Sequence, residues 1–127
     1  MNRSASVQFN HHAGDKAYNL GRIQHYCEQA SRENVQIIAF PEMCISGYWH
    51  VNKLSRDQVA ELAETIPDGE STQAIMALAR QYNMTVGAGL IEEADGEFYN
   101  AYVVAEPDGS VHVHRKLHCF VSTHMSS

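Results

Sequence analysis

The stretch Val35-Gln-Ile-Ile-Ala-Phe-Pro-Glu-Met-Cys-Ile-Ser-Gly-Tyr48 decides how this chain folds. Five of the six residues from Val35 to Phe40 are apolar, the pattern of a strand buried on both faces. Pro41 has no N–H to give a ladder, so the strand should end there. Glu42 is then held at the strand's C-terminal edge, where open α/β sheets carry their chemistry. Far downstream, His114-Arg-Lys-Leu-His118 closes another short apolar strand. A carboxylate and an ammonium, each delivered by a strand end, suit a base and an oxyanion stabiliser set around a nucleophile.

Upstream, Ser6 to Phe9 reads as a short first strand, with His11, His12 and Gly14 in the loop after it. Asp15 is a plausible N-cap. Leu20, Ile23, Cys27 and Ala30 then recur at spacings of three and four, which predicts a helix with one apolar stripe. Downstream, Ser46 to Lys53 is an irregular aromatic loop carrying Tyr48 and Trp49, which either line a pocket or simply pack. Ser55-x-x-Gln58 matches a capping box, and the helix it opens carries Val59, Leu62, Ala63 and Ile66 on one face. Pro67-Asp-Gly69 breaks the chain. Ser71 caps a further helix with Ile75, Leu78, Ala79 and Tyr82 inward and Asn83 as its stop.

From Thr85 the hydrophobic period changes to two. Thr85 to Ile91 is the third strand, with Gly87 and Gly89 allowing close backbone approach. Asp95-Gly96 is a hairpin turn, Phe98 to Ala105 the fourth strand, Pro107-Asp-Gly109 a second turn and Val111 to His114 the fifth strand. The order β-α-β-α-α-β-β-β implies an α/β fold: one mixed sheet with helices on one face. No repeat or linker divides the chain, so residues 1–127 are expected to be a single domain.

Composition excludes several functions. At 44% hydrophobic and 19% charged, the chain is globular and not disordered. A net charge of −6 without a Lys/Arg cluster argues against nucleic acid as a partner. No apolar run is long enough to span a bilayer, so no membrane partner is expected. Met1-Asn-Arg-Ser-Ala-Ser shows no secretory h-region. Three cysteines, at 27, 44 and 119, lack a disulfide framework, which suits free thiols in the cytoplasm.

With these residues in view, the chain resembles the nitrilase superfamily of carbon–nitrogen hydrolases. The matching pieces are Phe40-Pro-Glu-Met43 with Ser46-Gly-Tyr48, Tyr99-Asn100-Ala101, Pro107-Asp-Gly109 and His114-Arg-Lys-Leu-His118. They stand in the family's order at about its spacing and extend over nearly the whole chain. The resemblance implies an αββα sandwich and a Glu–Lys–Cys catalytic set without cofactor or metal. Glu42 matches the general base and Lys116 the lysine. The family's cysteine lies on a later strand, and the sequence stops at Ser127 before it. The resemblance therefore implies a partial sandwich, roughly the first half of the fold, without its nucleophile, and so a chain inactive by itself.

The implied chemistry follows from residue type. A carboxylate base converts a thiol into a better nucleophile for an amide, nitrile or N-carbamoyl carbon. An ammonium facing the resulting negative charge contributes about 3–4 kcal/mol, by analogy with a single oxyanion-hole donor. Cys44 and Cys119 sit near Glu42 and Lys116 in sequence, but neither matches the family's nucleophile, and free cysteines are mostly buried small hydrophobes. Cys27 belongs to a helix's apolar stripe.

Plainer readings stand beside these. Taken alone, Glu42 is a solvated or capping carboxylate and Lys116 a surface charge. Asn100 is expected to satisfy local backbone groups. His112 and His114 share a strand face, and with His118 and His124 they offer a histidine-based zinc site as an alternative, though no Cys-x-x-Cys or His-Glu-x-x-His pattern supports one. A second alternative is a non-catalytic α/β module acting by association. Half a sandwich would expose one sheet face, which predicts a homo-oligomer.

Overall fold

The computed structural model describes residues 3–12, 14–47 and 55–116. Tyr48, Trp49, His118, Cys119 and His124 lie outside the described residues. Eight elements follow one another: β1 (Ser4–Ser6), α1 (Lys16–Arg32), β2 (Ile37–Ala39), α2 (Arg56–Leu62), α3 (Glu70–Tyr82), β3 (Thr85–Ala94), β4 (Glu97–Ala105) and β5 (Val111–Arg115). This is the expected order. The strands form one sheet in the sequence order β1-β2-β3-β4-β5. The first three are parallel, and β4 and β5 run antiparallel to their neighbours.

Local chemistry accounts for most boundaries. Asp15 caps α1 by accepting from the Tyr18 N–H, and Ser55 and Gln58 close a reciprocal capping box on α2. Asn83 ends α3 in the left-handed region at φ 50° and ψ 54°. Asp95 and Gly96, with φ 53° and 80°, form the two-residue turn whose twist suits a hairpin. Gly109 adopts φ 97° in the β4–β5 turn, where the Asp108 carboxylate accepts from the Ser110 N–H.

The large cluster lies between the sheet and α1 and α3. Ile23, Cys27 and Ala30 of α1 and Ile75, Leu78 and Ala79 of α3 meet Ile38, Val86, Ala88, Leu90, Val103 and Ala105. Strand alternation sends Ile37, Gly87, Gly89, Ile91, Asn100 and Tyr102 to the opposite face. There α2 covers one end, with Val59 packed among Met43, Ile91 and Phe98.

Four local expectations change. The first strand is Ser4–Ser6 and not Ser6 to Phe9, although the Val7 N–H still donates to the Ala39 carbonyl. The second is not buried on both faces, because Ile37 is 45% exposed while Ile38 is 1% exposed. Ser71 does not cap α3, which starts after Gly69. Its N–H and hydroxyl instead donate to the Glu64 carboxylate, which also pairs with Lys16 at 3.0 Å. Ile66 lies beyond the end of α2 and packs on the large cluster, away from Val59.

Candidate active site

The site begins where β2 ends. The Phe40 N–H makes a last ladder bond to the Gly87 carbonyl, at 2.8 Å, and Pro41 follows. The chain then turns across β3. Met43 takes φ 55°, an uncommon conformation for a side-chain-bearing residue. The Ile45 N–H donates to the Gly89 carbonyl at 3.0 Å, and the Ile91 N–H donates to Ser46 Oγ at 3.2 Å. Met43, Cys44, Ile45 and Ser46 are fully buried. Gly89 makes this seat possible, since a Cβ there would clash with the Met43 backbone nitrogen. Glu42 therefore leaves a stapled turn, with its side chain 42% exposed on the face opposite α1 and α3.

Lys116 arrives from the other side of the same face. Register pairs Ala101 with Arg115, and one step further the Lys116 N–H donates to the Asn100 carbonyl at 2.9 Å. Alternation separates the two adjacent cations. Arg115 turns to the helix-covered face, where it binds Glu92 through two nitrogens at 2.7 and 3.2 Å and lies 4.2 Å from the Tyr99 ring centroid. Lys116 turns to the other face and places Nζ 3.0 Å from Glu42 Oε1.

Two side chains of β4 complete the arrangement. Asn100 is only 3% exposed, and its Nδ2 donates to the same Glu42 Oε1 at 2.6 Å. It does not serve the local backbone, contrary to expectation. The Tyr102 hydroxyl donates to the Phe40 carbonyl at 2.7 Å, which fixes the strand end just before Glu42. Burial pushes the Tyr102 phenol up, so it remains a proton donor at neutral pH. Glu42, Asn100, Tyr102, His114 and Lys116 line one depression of about 250 Å³. The sequence carried a signal for Asn100: the hairpin turns at Asp95-Gly96 and Pro107–Gly109 set the registers that place it opposite Lys116.

Other candidates fall away from this depression. Cys27 lies in the large cluster, where burial pushes its thiol up to about 12. Burial likewise pushes Cys44 up to about 11, and its sulfur approaches the Gly89 carbonyl. Neither forms a thiolate readily at neutral pH. His112 Nε2 lies 2.9 Å from Glu106 Oε2. Among the described residues, no three His, Cys, Asp or Glu side chains converge as a metal site, and no helix is long and apolar enough to cross a membrane.

Comparison with known proteins identifies the chain's family. A family model described as carbon-nitrogen hydrolase matches residues 3–127. A nitrilase of Pyrococcus abyssi is 32% identical over 120 residues, covering 94% of this chain and 45% of that protein. The omega-amidase NIT2 of Danio rerio is 38% identical over 120 residues, covering 93% of this chain and 40% of its own. The crystal structure of Saccharomyces cerevisiae Nit3, a nitrilase-superfamily member, superposes with a TM-score of 0.75 at 25% identity, over 94% of this chain and 46% of that one. The chain thus spans less than half the length of these relatives.

Proposed function

The chain belongs to the carbon-nitrogen hydrolase family, and on that premise we propose that Glu42 and Lys116 are the base and the oxyanion-stabilising cation of a Glu–Lys–Cys hydrolase. The substrate class is a small molecule with a non-peptide C–N bond: an amide, a nitrile or an N-carbamoyl compound. The similarity to a nitrilase and an omega-amidase supports the nitrile and amide parts of that range. One observation carries the assignment. Two strand ends 74 residues apart bring a carboxylate and an ammonium to 3.0 Å in a shared depression.

The chemistry is ordinary acyl transfer. Glu42 takes the proton of a thiol as its sulfur attacks the carbonyl or nitrile carbon. Lys116 faces the negative charge that develops on the former carbonyl oxygen or nitrile nitrogen. From an amide, ammonia or an amine leaves with the proton Glu42 took up, and water activated by Glu42 then cleaves the thioester; from a nitrile, a first water converts the thioimidate to the thioester with release of ammonia and a second cleaves it. Neither Cys27 nor Cys44 is an available nucleophile, because both are fully buried. We therefore propose that the 127-residue polypeptide alone is inactive and that residues 1–127 are one incomplete hydrolase domain. A homo-oligomer in the cytoplasm completes the proposal.

The test supplies the missing sulfur. The chain is fused to the portion of the Pyrococcus abyssi nitrilase beyond the matched segment, and ammonia release is followed across amides, nitriles and N-carbamoyl compounds. Turnover should appear in the fusion and be absent from the chain alone. Lys116→Met should lower kcat about 10²–10³-fold, and Glu42→Gln about 10²–10⁴-fold. A folded, active fusion indifferent to both substitutions would sink the assignment. Turnover by the chain alone that vanishes with Cys119→Ala would instead make Cys119 the nucleophile.

A further inference from the structure

We propose that Asn100 is the positioning residue of the Glu42 carboxylate, a role that rests on Glu42 being the base. The geometry is specific. Glu42 is 42% exposed and has three rotatable side-chain bonds, so burial does not fix its direction. Asn100 is 3% exposed and held between two strands: it is paired with Ile91 on β3, and its carbonyl accepts from the Lys116 N–H. Its amide donates to Glu42 Oε1 at 2.6 Å, within hydrogen-bond reach and shorter than most N–H···O bonds. One residue thus holds the carboxylate by its side chain and the lysine's backbone by its carbonyl.

The chemical type matters as much as the position. Lys116 Nζ meets Glu42 on the same Oε1, at 3.0 Å. A flexible carboxylate beside an ammonium is free to swing so that both oxygens pair with the cation. That would take away the lone pairs a base needs and hold the ammonium off the oxyanion. The Asn100 amide opposes the swing by pinning Oε1, which leaves Oε2 to receive the proton. A neutral donor does this without adding a second positive charge, which would weaken the base. An arginine or lysine at position 100 would give a tighter grip and a poorer base.

The experiment uses the 127-residue chain in solution, by NMR. In the wild type, one Asn100 Nδ2 proton should resonate downfield of an ordinary amide, and Glu42 γ-protons should show a nuclear Overhauser contact to the Lys116 ε-protons. Glu42→Ala, at a side chain exposed enough to spare the fold, should abolish the downfield shift. Asn100→Leu removes the donor while keeping the side chain's branching and adding no charge beside Glu42. In Asn100→Leu the freed carboxylate should close on the ammonium, so the Glu42–Lys116 contact should strengthen while the backbone spectrum and melting temperature stay close to wild type, an effect that a purely structural asparagine would not produce. The proposal is overturned if the contact is unchanged or lost in folded Asn100→Leu. It is equally overturned if Glu42→Ala leaves the Asn100 amide resonances unmoved, a result obtainable even if Asn100→Leu does not fold. No arm reads turnover, so failure here is separate from failure of Glu42 and Lys116 in the fusion assay.

Discussion

At the scale of single residues, the same residue type takes opposite roles according to its surroundings. Glu42 stands half-open beside Lys116, whereas Glu64 has a side chain only 9% exposed and ties three segments together. Burial pushes the Glu64 carboxyl up, but the two Ser71 hydrogen bonds and the Lys16 ammonium outweigh it and hold the group below its ordinary 4.5. A folded value below the unfolded one means this stabilisation is complete above about pH 4.5 and drains away as pH falls below it. Glu64→Gln should therefore cost about 1–3 kcal/mol at pH 7. The gap between the two melting curves should close as pH falls below that value. A gap unchanged from pH 7 to pH 3 would show that the charge on Glu64 is not what stabilises. Sequence reading did not find this carboxylate, because nothing in the order of residues shows that Lys16 and Ser71 meet it.

At the scale of elements, the glycines separate what pattern can foresee from what it cannot. Gly87 and Gly89 were legible as places of close approach, since glycine inside a strand otherwise only weakens it. The contact partners needed the fold: the Tyr102 ring over Gly87, and the Glu42–Met43 backbone over Gly89. Gly89→Ala should cost about 3 kcal/mol, because the clash is with backbone stapled on both sides and not with a flexible side chain. Gly21, in the middle of α1, has nothing within 4 Å of its added Cβ, so Gly21→Ala should gain about 0.5–1 kcal/mol. Urea melts of the two variants check the contrast. Equal effects would mean that the turn does not press on β3 as described. The capping box at Ser55, the Asp95-Gly96 turn and the Asn83 stop were all readable in sequence, because each is decided within four residues. Ser71 stands where a cap is expected but bonds Glu64, which lies outside the helix it helps to start.

At the scale of the whole molecule, one sheet face is filled by α1 and α3 while the other carries the depression. Ile37, on that second face, is 45% exposed, an unusual state for isoleucine in a strand. The family's sandwich architecture gives such a face a partner layer. The 127-residue chain should therefore self-associate, and light scattering should report a dimer or larger species that Ile37→Glu shifts toward monomer. A monodisperse wild-type monomer at high concentration would remove the oligomer from the proposal.

Residue order alone carries the element order, the Asp15 and Ser55 caps, the Asn83 stop, the hairpin turns and the two charged residues worth joining. These follow from local propensity and from periods of two and 3.6, which need no knowledge of distant segments. The family resemblance was equally legible, because its motifs are short, ordered and spaced along the chain. It takes the folded chain to show that Ile37 faces outward and that Asn100 grips Glu42. Each of those outcomes depends on strand pairing across dozens of residues. The hairpin turns pin the registers of β4 and β5 locally, but the seating of β2 and of the turn after it against β3 rests on contacts that a linear pattern does not contain.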